Sequence, residues 1–112
     1  VLTGIQAMDA GAAQMLNTGA GIVVVKMGAK GIRAFTERSM FHQDAVPPRE
    51  IKDRTGAGDV AAAGFLAGMI HVMDIPRCLE LAARAASLSI EGYGRSAYPD
   101  RAFLERFLSG LT

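Results

Sequence analysis

The residues best suited to chemistry lie in one glycine-rich segment that precedes a run of small and apolar residues, Gly56-Ala57-Gly58-Asp59. The run that follows predicts a helix. The first N–H groups of a helix have no partner inside it and carry the positive end of its dipole. Because glycine has no side chain, a phosphate can come directly against those N–H groups. The segment therefore indicates an anion hole formed by Gly56, Ala57 and Gly58.

Asp59 adds a carboxylate to the same turn. A carboxylate beside a bound phosphoryl group can accept the proton of an attacking hydroxyl. A base and an anion hole on one helix end supply the positioning that phosphoryl transfer needs. For so short a motif the alternative stays open: Asp59 only complements the helix dipole, and the glycines only form a tight turn.

A dinucleotide-binding fingerprint is formally matched by Gly56, Gly58 and Ala61. That fingerprint must follow a buried strand. Residues 47–54, which precede it, are mostly polar and begin with two prolines. The context therefore rejects the dinucleotide interpretation.

The first half of the chain predicts one helix and three strands. Ile22-Val23-Val24-Val25 is a continuous β-branched run, typical of a strand covered on both faces, as in the parallel sheet of an α/β domain. Turn residues at 28–31 precede a second strand at 32–35, and a third is expected at 40–46. Before them, apolar residues recur at helical spacing between positions 2 and 16: Ile5, Met8, Ala12, Met15 and Leu16.

The second half predicts three helices. The first follows Asp59, with Gly64 and Gly68 on one face, where they allow close approach of a neighbour. The second begins at Asp74-Ile75-Pro76 and runs to about Ile90. The third begins at Pro99-Asp100 and is amphipathic, with these apolar residues on one side: Phe103, Leu104, Phe107 and Leu108.

Composition favours one small globular domain. The 112 residues are 50% hydrophobic and 21% charged, and 12 basic against 11 acidic residues give a net charge of +1. Together with the absence of Trp and of basic runs, this argues against disorder, a nucleic-acid-binding arm and a polybasic membrane patch. The single cysteine, Cys78, excludes an internal disulfide and predicts a cytoplasmic location. The uncharged stretch 60–73 is too short to span a bilayer.

The wider pattern resembles a known family. Residues 53–65 (DRTGAGDVAAAGF) are similar to the C-terminal signature of the ribokinase-like (PfkB) carbohydrate kinases, Asp-Thr-x-Gly-Ala-Gly-Asp followed by a small-residue helix. Residues 23–31 (VVVKMGAKG) resemble the family's strand and Gly-x-x-Gly nucleotide loop, and residues 82–94 its adenine-side helix and closing loop. Residues 2–5 resemble the segment after its Asn-x-x-Glu motif. The resemblance implies that residues 1–112 are the C-terminal nucleotide-binding and catalytic portion of a ribokinase-like, Rossmann-like three-layer α/β/α domain.

This resemblance implies ATP- and Mg²⁺-dependent phosphorylation of a sugar or sugar-like hydroxyl. Asp59 is expected to be the general base, beside the anion hole of Gly56, Ala57 and Gly58. The positions that match the family's nucleotide site are Lys26, Gly28, Ala29, Gly31 and Ala83. Those that match its monovalent-cation site, where K⁺ is expected, are Asp53, Thr55, Ser89, Gly92 and Gly94.

Arg54 departs from the family's signature, which has Thr there. Its guanidinium could reach a phosphate or an acidic group of the acceptor, or it could point into solvent. His42 and His71 have no partner at ligand spacing and are expected in ordinary surface or packing roles. Cys78 is expected to be a small buried hydrophobe.

The resemblance also implies a larger parent. The chain begins with Val1, shows no signal peptide and contains no Asn-x-x-Glu motif, which is expected just before Val1. In the family, the preceding portion carries the sugar pocket and a lid, so we expect the 112 residues alone to be inactive and the full-length parent active. The expected partners are a sugar, ATP and the N-terminal remainder of the protein, and a homodimer is left open. The acceptor stays undetermined, and the alternative is a non-catalytic nucleotide-binding or regulatory module of the same fold.

Overall fold

The computed structural model describes residues 4–110. Leu2 and Thr3, which belong to the segment 2–5 that resembles the family, lie outside the described residues. The described chain forms four helices and three strands. In chain order these are α1 (Gly4–Asn17), β1 (Val23–Lys26), β2 (Ile32–Phe35), β3 (Met40–Gln43), α2 (Ala57–Ile70), α3 (Ile75–Ser89) and α4 (Arg101–Leu108).

The three strands form an antiparallel sheet in the order β1-β2-β3. Val23 pairs with Phe35 and Lys26 with Ile32, across a short 3-10 turn at Gly28–Lys30. The expectation of a parallel sheet is therefore wrong for the described strands, because a five-residue turn returns the chain directly beside itself. The third strand also ends at Gln43, three residues earlier than predicted.

Helices cover both faces of the sheet, as the continuous apolarity of β1 predicts. On one face, α1 packs Ala12 against Val23 and Phe35. On the other face, α2 and α3 bury Phe65 and Leu79 against β2 in a core completed by Ile32, Ala34, Ala61, Cys78 and Ala82. The described residues thus form three layers, helix on sheet on helix, in agreement with the predicted α/β/α fold class.

Two glycines allow α2 and α3 to pack closely. A Cβ added at Gly64 would lie 3.0 Å from the Cα of Ala82, and one added at Gly68 would lie 2.8 Å from the Sγ of Cys78. Cys78 is fully buried, as predicted, and burial raises the pKa of its thiol. The expected close approach along this helix face is confirmed.

Helix starts agree with the local signals. The Asp74 and Asp100 carboxylates accept the backbone N–H groups of Arg77 and Phe103, which caps α3 and α4. Helix α2 begins at Ala57 rather than after Asp59, so Asp59 lies in its first turn. Within the described residues, no helix is long and apolar enough to cross a membrane.

Two side chains expected on apolar faces are instead exposed: Met15 on α1 and Leu108 on α4. Helical periodicity gives the direction of a face but not the width of the surface that a neighbour covers. His42 has a surface role, because its ring nitrogens contact Arg33 Nε and Asp44 Oδ1. His71 is the exposed C-terminal cap of α2.

We predict that Gly68→Ala lowers the free energy of unfolding by about 1–2 kcal/mol, because the new methyl group meets a buried side chain that cannot move aside. Gly11→Ala in α1 is the matched control, since an added Cβ there meets nothing within 4 Å. Alanine is favoured over glycine in a helix by about 1 kcal/mol, so the control is expected to be neutral or stabilising. Equal effects of the two changes in urea unfolding would contradict the close-packing account.

Candidate active site

A cleft of about 380 Å³ opens between the β1–β2 turn, the N-terminus of α2 and one face of α3. All five residues predicted to bind the nucleotide line it, and so do Ala57 and Gly58 of the predicted anion hole. Its only charged lining residues within the described chain are Lys26 and Arg54, and no acidic side chain lines it. The remaining walls are mostly apolar. The cleft therefore fits a ligand with one flat apolar part and one anionic part.

The start of α2 depends on the backbone of Gly56. This residue has φ 81° and ψ −2°, a left-handed conformation that favours glycine, and it is the N-terminal cap of α2. A Cβ at this position would also collide with the hydroxyl of Tyr98. That hydroxyl donates to the Thr55 carbonyl at 3.2 Å. Gly56 is thus required both by its conformation and by the ring packed over it.

The first N–H groups of α2 are only partly used inside the protein. The Ala57 N–H donates to the Arg54 carbonyl at 3.2 Å, and the Val60 N–H donates to the Gly56 carbonyl at 2.9 Å. Within residues 4–110, the N–H groups of Gly58 and Asp59 donate no hydrogen bond. Two donors at the positive end of the helix dipole are therefore available to an anion.

Lys26 brings a cation to the same place. Its side chain extends from the end of β1, and its Nζ donates to the Gly58 carbonyl at 3.2 Å. A Cβ at Gly58 would meet nothing nearer than this ammonium, at 3.7 Å. The lysine therefore crosses from the sheet to the first turn of α2 and places its charge at one end of the cleft.

Asp59 is exposed and follows Gly58 in the first turn of α2. It is not among the residues that line the cleft. An anion held at the N-terminus of α2 would thus lie in the same helical turn as the Asp59 carboxylate, which is outside the cleft lining. This separation suits a base that acts on a second substrate outside the nucleotide cleft.

The Asp53 carboxylate joins the loop before α2 to the loop after α3. One oxygen accepts the Thr55 N–H and the other accepts the Gly94 N–H, each at 2.9 Å. The Lys52 and Asp53 N–H groups in turn donate to the Ile90 carbonyl. The hydrogen bonds that the carboxylate accepts, first from the Thr55 N–H and then from the Gly94 N–H, lower the pKa of Asp53.

The predicted cation-binding residues come together around this junction. Hydrogen bonds directly connect Asp53 with Thr55 and Gly94. Ser89 precedes Ile90, whose carbonyl accepts the Lys52 and Asp53 N–H groups. The Ser89 hydroxyl is buried and donates to the Ala86 carbonyl, so it points into its own helix. Gly92 is buried against Ser96 and Ala97. The oxygen ligands that this segment offers to a cation are one carboxylate and several loop carbonyls.

Several cleft residues went unassigned in the sequence. One group lies between β3 and α2: Ala45, Val46, Pro47, Pro48 and Ile51. The other follows the predicted position Ala83 at helical spacing: Ala86 and Ser87 on α3, and Ile90 at its C-terminal cap. That spacing was a usable signal. Tyr98 had no such signal, because its contact with Gly56 joins residues far apart in the sequence.

A family model supplies the deciding comparison: pfkB family carbohydrate kinase matches residues 2–101. The chain belongs to the pfkB family of carbohydrate kinases. A 5-dehydro-2-deoxygluconokinase of Geobacillus kaustophilus is 38% identical over 88 residues, which are 78% of this chain and 26% of that protein. A ribokinase of Arabidopsis thaliana is 37% identical over 81 residues, 70% of this chain and 21% of that protein.

Solved structures of the family have the same fold. Arabidopsis thaliana ribokinase complexed with ribose and ATP superimposes with a TM-score of 0.83 and 33% identity, covering 95% of this chain and 34% of that one. A putative ribokinase II of E. coli in complex with ATP and Mg²⁺ gives a TM-score of 0.79 at 26% identity, covering 98% of this chain and 34% of that one. The chain thus spans about a fifth to a third of the length of these relatives.

We predict that Asp53→Asn destabilises the protein at neutral pH and that its deficit relative to wild type shrinks in acid. Because the folded pKa lies below the ordinary value of 3.8, the charged Asp53 stabilises the fold fully above about pH 3.8. That contribution is lost as the pH falls through the lower folded pKa. Thermal unfolding from pH 7 to pH 2.5 measures the gap, with exposed Asp9→Asn as the charge-matched control. A gap that does not change with pH would contradict this assignment.

Proposed function

We propose that this chain is the C-terminal part of a kinase that transfers the terminal phosphoryl group of ATP to a hydroxyl of a sugar or sugar-like acceptor. One observation carries the proposal: Gly58, which lines the cleft, and Asp59, which follows it in the same turn with an exposed carboxylate, both have unused N–H groups at the start of α2. Membership of the pfkB family supports the reaction class. The activity belongs to the whole protein, because the chain spans only part of its relatives.

The nucleotide is proposed to lie along the cleft. Its adenine would contact the apolar wall between the turn at Gly28–Lys30 and Ala83. Its phosphates would lie beside Lys26 and the first turn of α2. The Arabidopsis relative binds ATP and the E. coli relative binds ATP and Mg²⁺. Within residues 4–110, no three acidic, His or Cys side chains are grouped to hold a metal ion. Because Mg²⁺ in such sites is held mainly by substrate phosphates, water and one or two carboxylates, we propose that it enters as the MgATP substrate.

The transfer step follows from the order of the groups. The acceptor hydroxyl gives its proton to Asp59, and its oxygen forms a bond to the terminal phosphorus of ATP. The bond from that phosphorus to the bridging oxygen breaks, and ADP leaves. Of the proposed anion hole of Gly56, Ala57 and Gly58, the Ala57 N–H already donates to the Arg54 carbonyl. The unused N–H groups of Gly58 and Asp59 would therefore stabilise charge on the transferring group.

A K⁺ ion beside the anion hole is a further part of the proposal. The negative charge of Asp53 and the loop carbonyls near Thr55, Ser89, Gly92 and Gly94 fit a weakly hydrated monovalent cation. The acceptor pocket is assigned to the N-terminal remainder of the protein. The cytoplasmic location and the homodimer stay predictions from the sequence and the family.

We predict that Asp59→Asn in the complete protein lowers kcat by at least about 100-fold and leaves the affinity for ATP within about twofold, because the variant loses the base but keeps the cleft. The measurements are coupled-assay kinetics with a panel of sugars and nucleosides, and ATP titration by calorimetry. Replacing K⁺ by choline in the same assay tests the cation. Asp9→Asn is the control. Undiminished turnover would remove Asp59 from the role of base, and ATP binding without turnover in the wild type would favour a non-catalytic module.

The isolated 112-residue chain is expected to give no sugar-dependent ADP formation with MgATP, since the acceptor pocket is assigned elsewhere. Asp59-dependent turnover by the isolated chain would contradict the assignment of the acceptor pocket to the remainder.

A further inference from the structure

Arg54 is the second cation of the cleft, and the family resemblance gives it no role. It lies two residues before the cap residue Gly56, and its own carbonyl accepts the Ala57 N–H. The turn that starts α2 therefore fixes the backbone of Arg54. The residue is exposed and lines the same cleft as Lys26 and Gly58.

The guanidinium of Arg54 has no intramolecular function in the described chain. Within residues 4–110 it makes no hydrogen bond or ion pair, whereas Arg77 and Arg84 both pair with Glu80. No acidic residue lines the cleft to neutralise it. An arginine that has no polar partner among the described residues and lines the same cleft as Lys26 and the unused N–H group of Gly58 is thus available to pair with an anion there.

The position of Arg54 also indicates which of two anions it would bind, the phosphates of the nucleotide or an acidic group of the acceptor. Asp59, the proposed base, does not line the cleft, so the acceptor is expected outside it. Arg54, in contrast, lines the cleft together with the nucleotide-binding turn and residues of α3. We propose that Arg54 binds the phosphates of the nucleotide and thereby contributes part of the affinity for ATP. This inference rests on the proposed function.

The guanidinium suits this role for geometric reasons. It presents N–H groups in a planar fork that matches two phosphate oxygens at once, whereas a lysine acts as a point charge. Lys26 already has one bond to the Gly58 carbonyl, so the two cations would supply different contacts. Removal of a charge-assisted contact of this kind is expected to weaken binding by about tenfold.

The test is a set of calorimetric titrations on the complete protein with ATP, ADP and adenosine. Arg54→Ala and Arg54→Thr are expected to raise the Kd for ATP and for ADP about tenfold and to leave that for adenosine within about twofold. Arg54→Lys is expected to recover part of the loss. Arg49→Ala is the matched control, because Arg49 is an exposed arginine near the cleft that does not line it. The KM for ATP should rise in parallel while kcat changes less than about twofold.

The outcomes separate this inference from the proposed function. If wild type and Lys26→Ala differ in ATP affinity but Arg54→Ala binds ATP like wild type, Arg54 is not a phosphate ligand and the nucleotide site stands. A rise in the KM for the acceptor alone would place Arg54 on the acceptor side and overturn the inference. Equal weakening of adenosine would indicate a structural effect and overturn it as well. If the wild-type protein binds no ATP, both proposals are wrong.

Discussion

Both oxygens of the Asp53 carboxylate accept backbone N–H groups, one from Thr55 and one from Gly94, and the arrangement of the site depends on this pairing. It fixes the loop before α2 against the loop after α3. Tyr98 then packs over Gly56, and the left-handed glycine starts α2 beneath it. An anionic side chain thus holds together the loops around a site that itself attracts anions. Asp53 itself does not line the cleft.

Close packing of α2 on α3 has a direct consequence for the cleft. Gly64 and Gly68 bring the two helix axes together, and α3 then presents Ala83 and Ile90 beside the N-terminus of α2. The sheet contributes the third wall through Lys26 and the turn after it. The cleft is therefore formed where α2, α3 and the sheet meet, and its apolar and cationic residues come from different elements. A change in the helix spacing would alter the cleft without touching any residue proposed to contact a ligand.

Local chemistry in the sequence predicted much of this structure. The caps at Asp74 and Asp100 and the glycine face of α2 depend on short-range signals. The five nucleotide-side residues were instead implied by the family resemblance, and the structure places them in one cleft. The direction of the strands could not be read in this way, because a continuous apolar run indicates burial and not which neighbour pairs with it. The same holds for exposed Met15 and Leu108, whose burial depends on where a partner ends.

The parts of the site that sequence could not give are contacts between distant residues. Lys26 with Gly58, Tyr98 with Thr55 and Asp53 with Gly94 each join segments more than thirty positions apart. Their residue types are common in loops, so only the fold distinguishes them from solvated side chains. The roles of Asp59 and of the anion hole stay predictions, supported by family membership and by the unused N–H groups.

The most direct test of the central claim is a crystal structure of the complete protein bound to Mg²⁺ and a non-hydrolysable analogue of ATP. The account predicts that phosphate oxygens accept hydrogen bonds from the N–H groups of Gly58 and Asp59. The adenine should lie between the Gly28–Lys30 turn and Ala83. The terminal phosphorus should face the Asp59 carboxylate. A nucleotide bound outside this cleft, or with its base at the start of α2, would contradict the account.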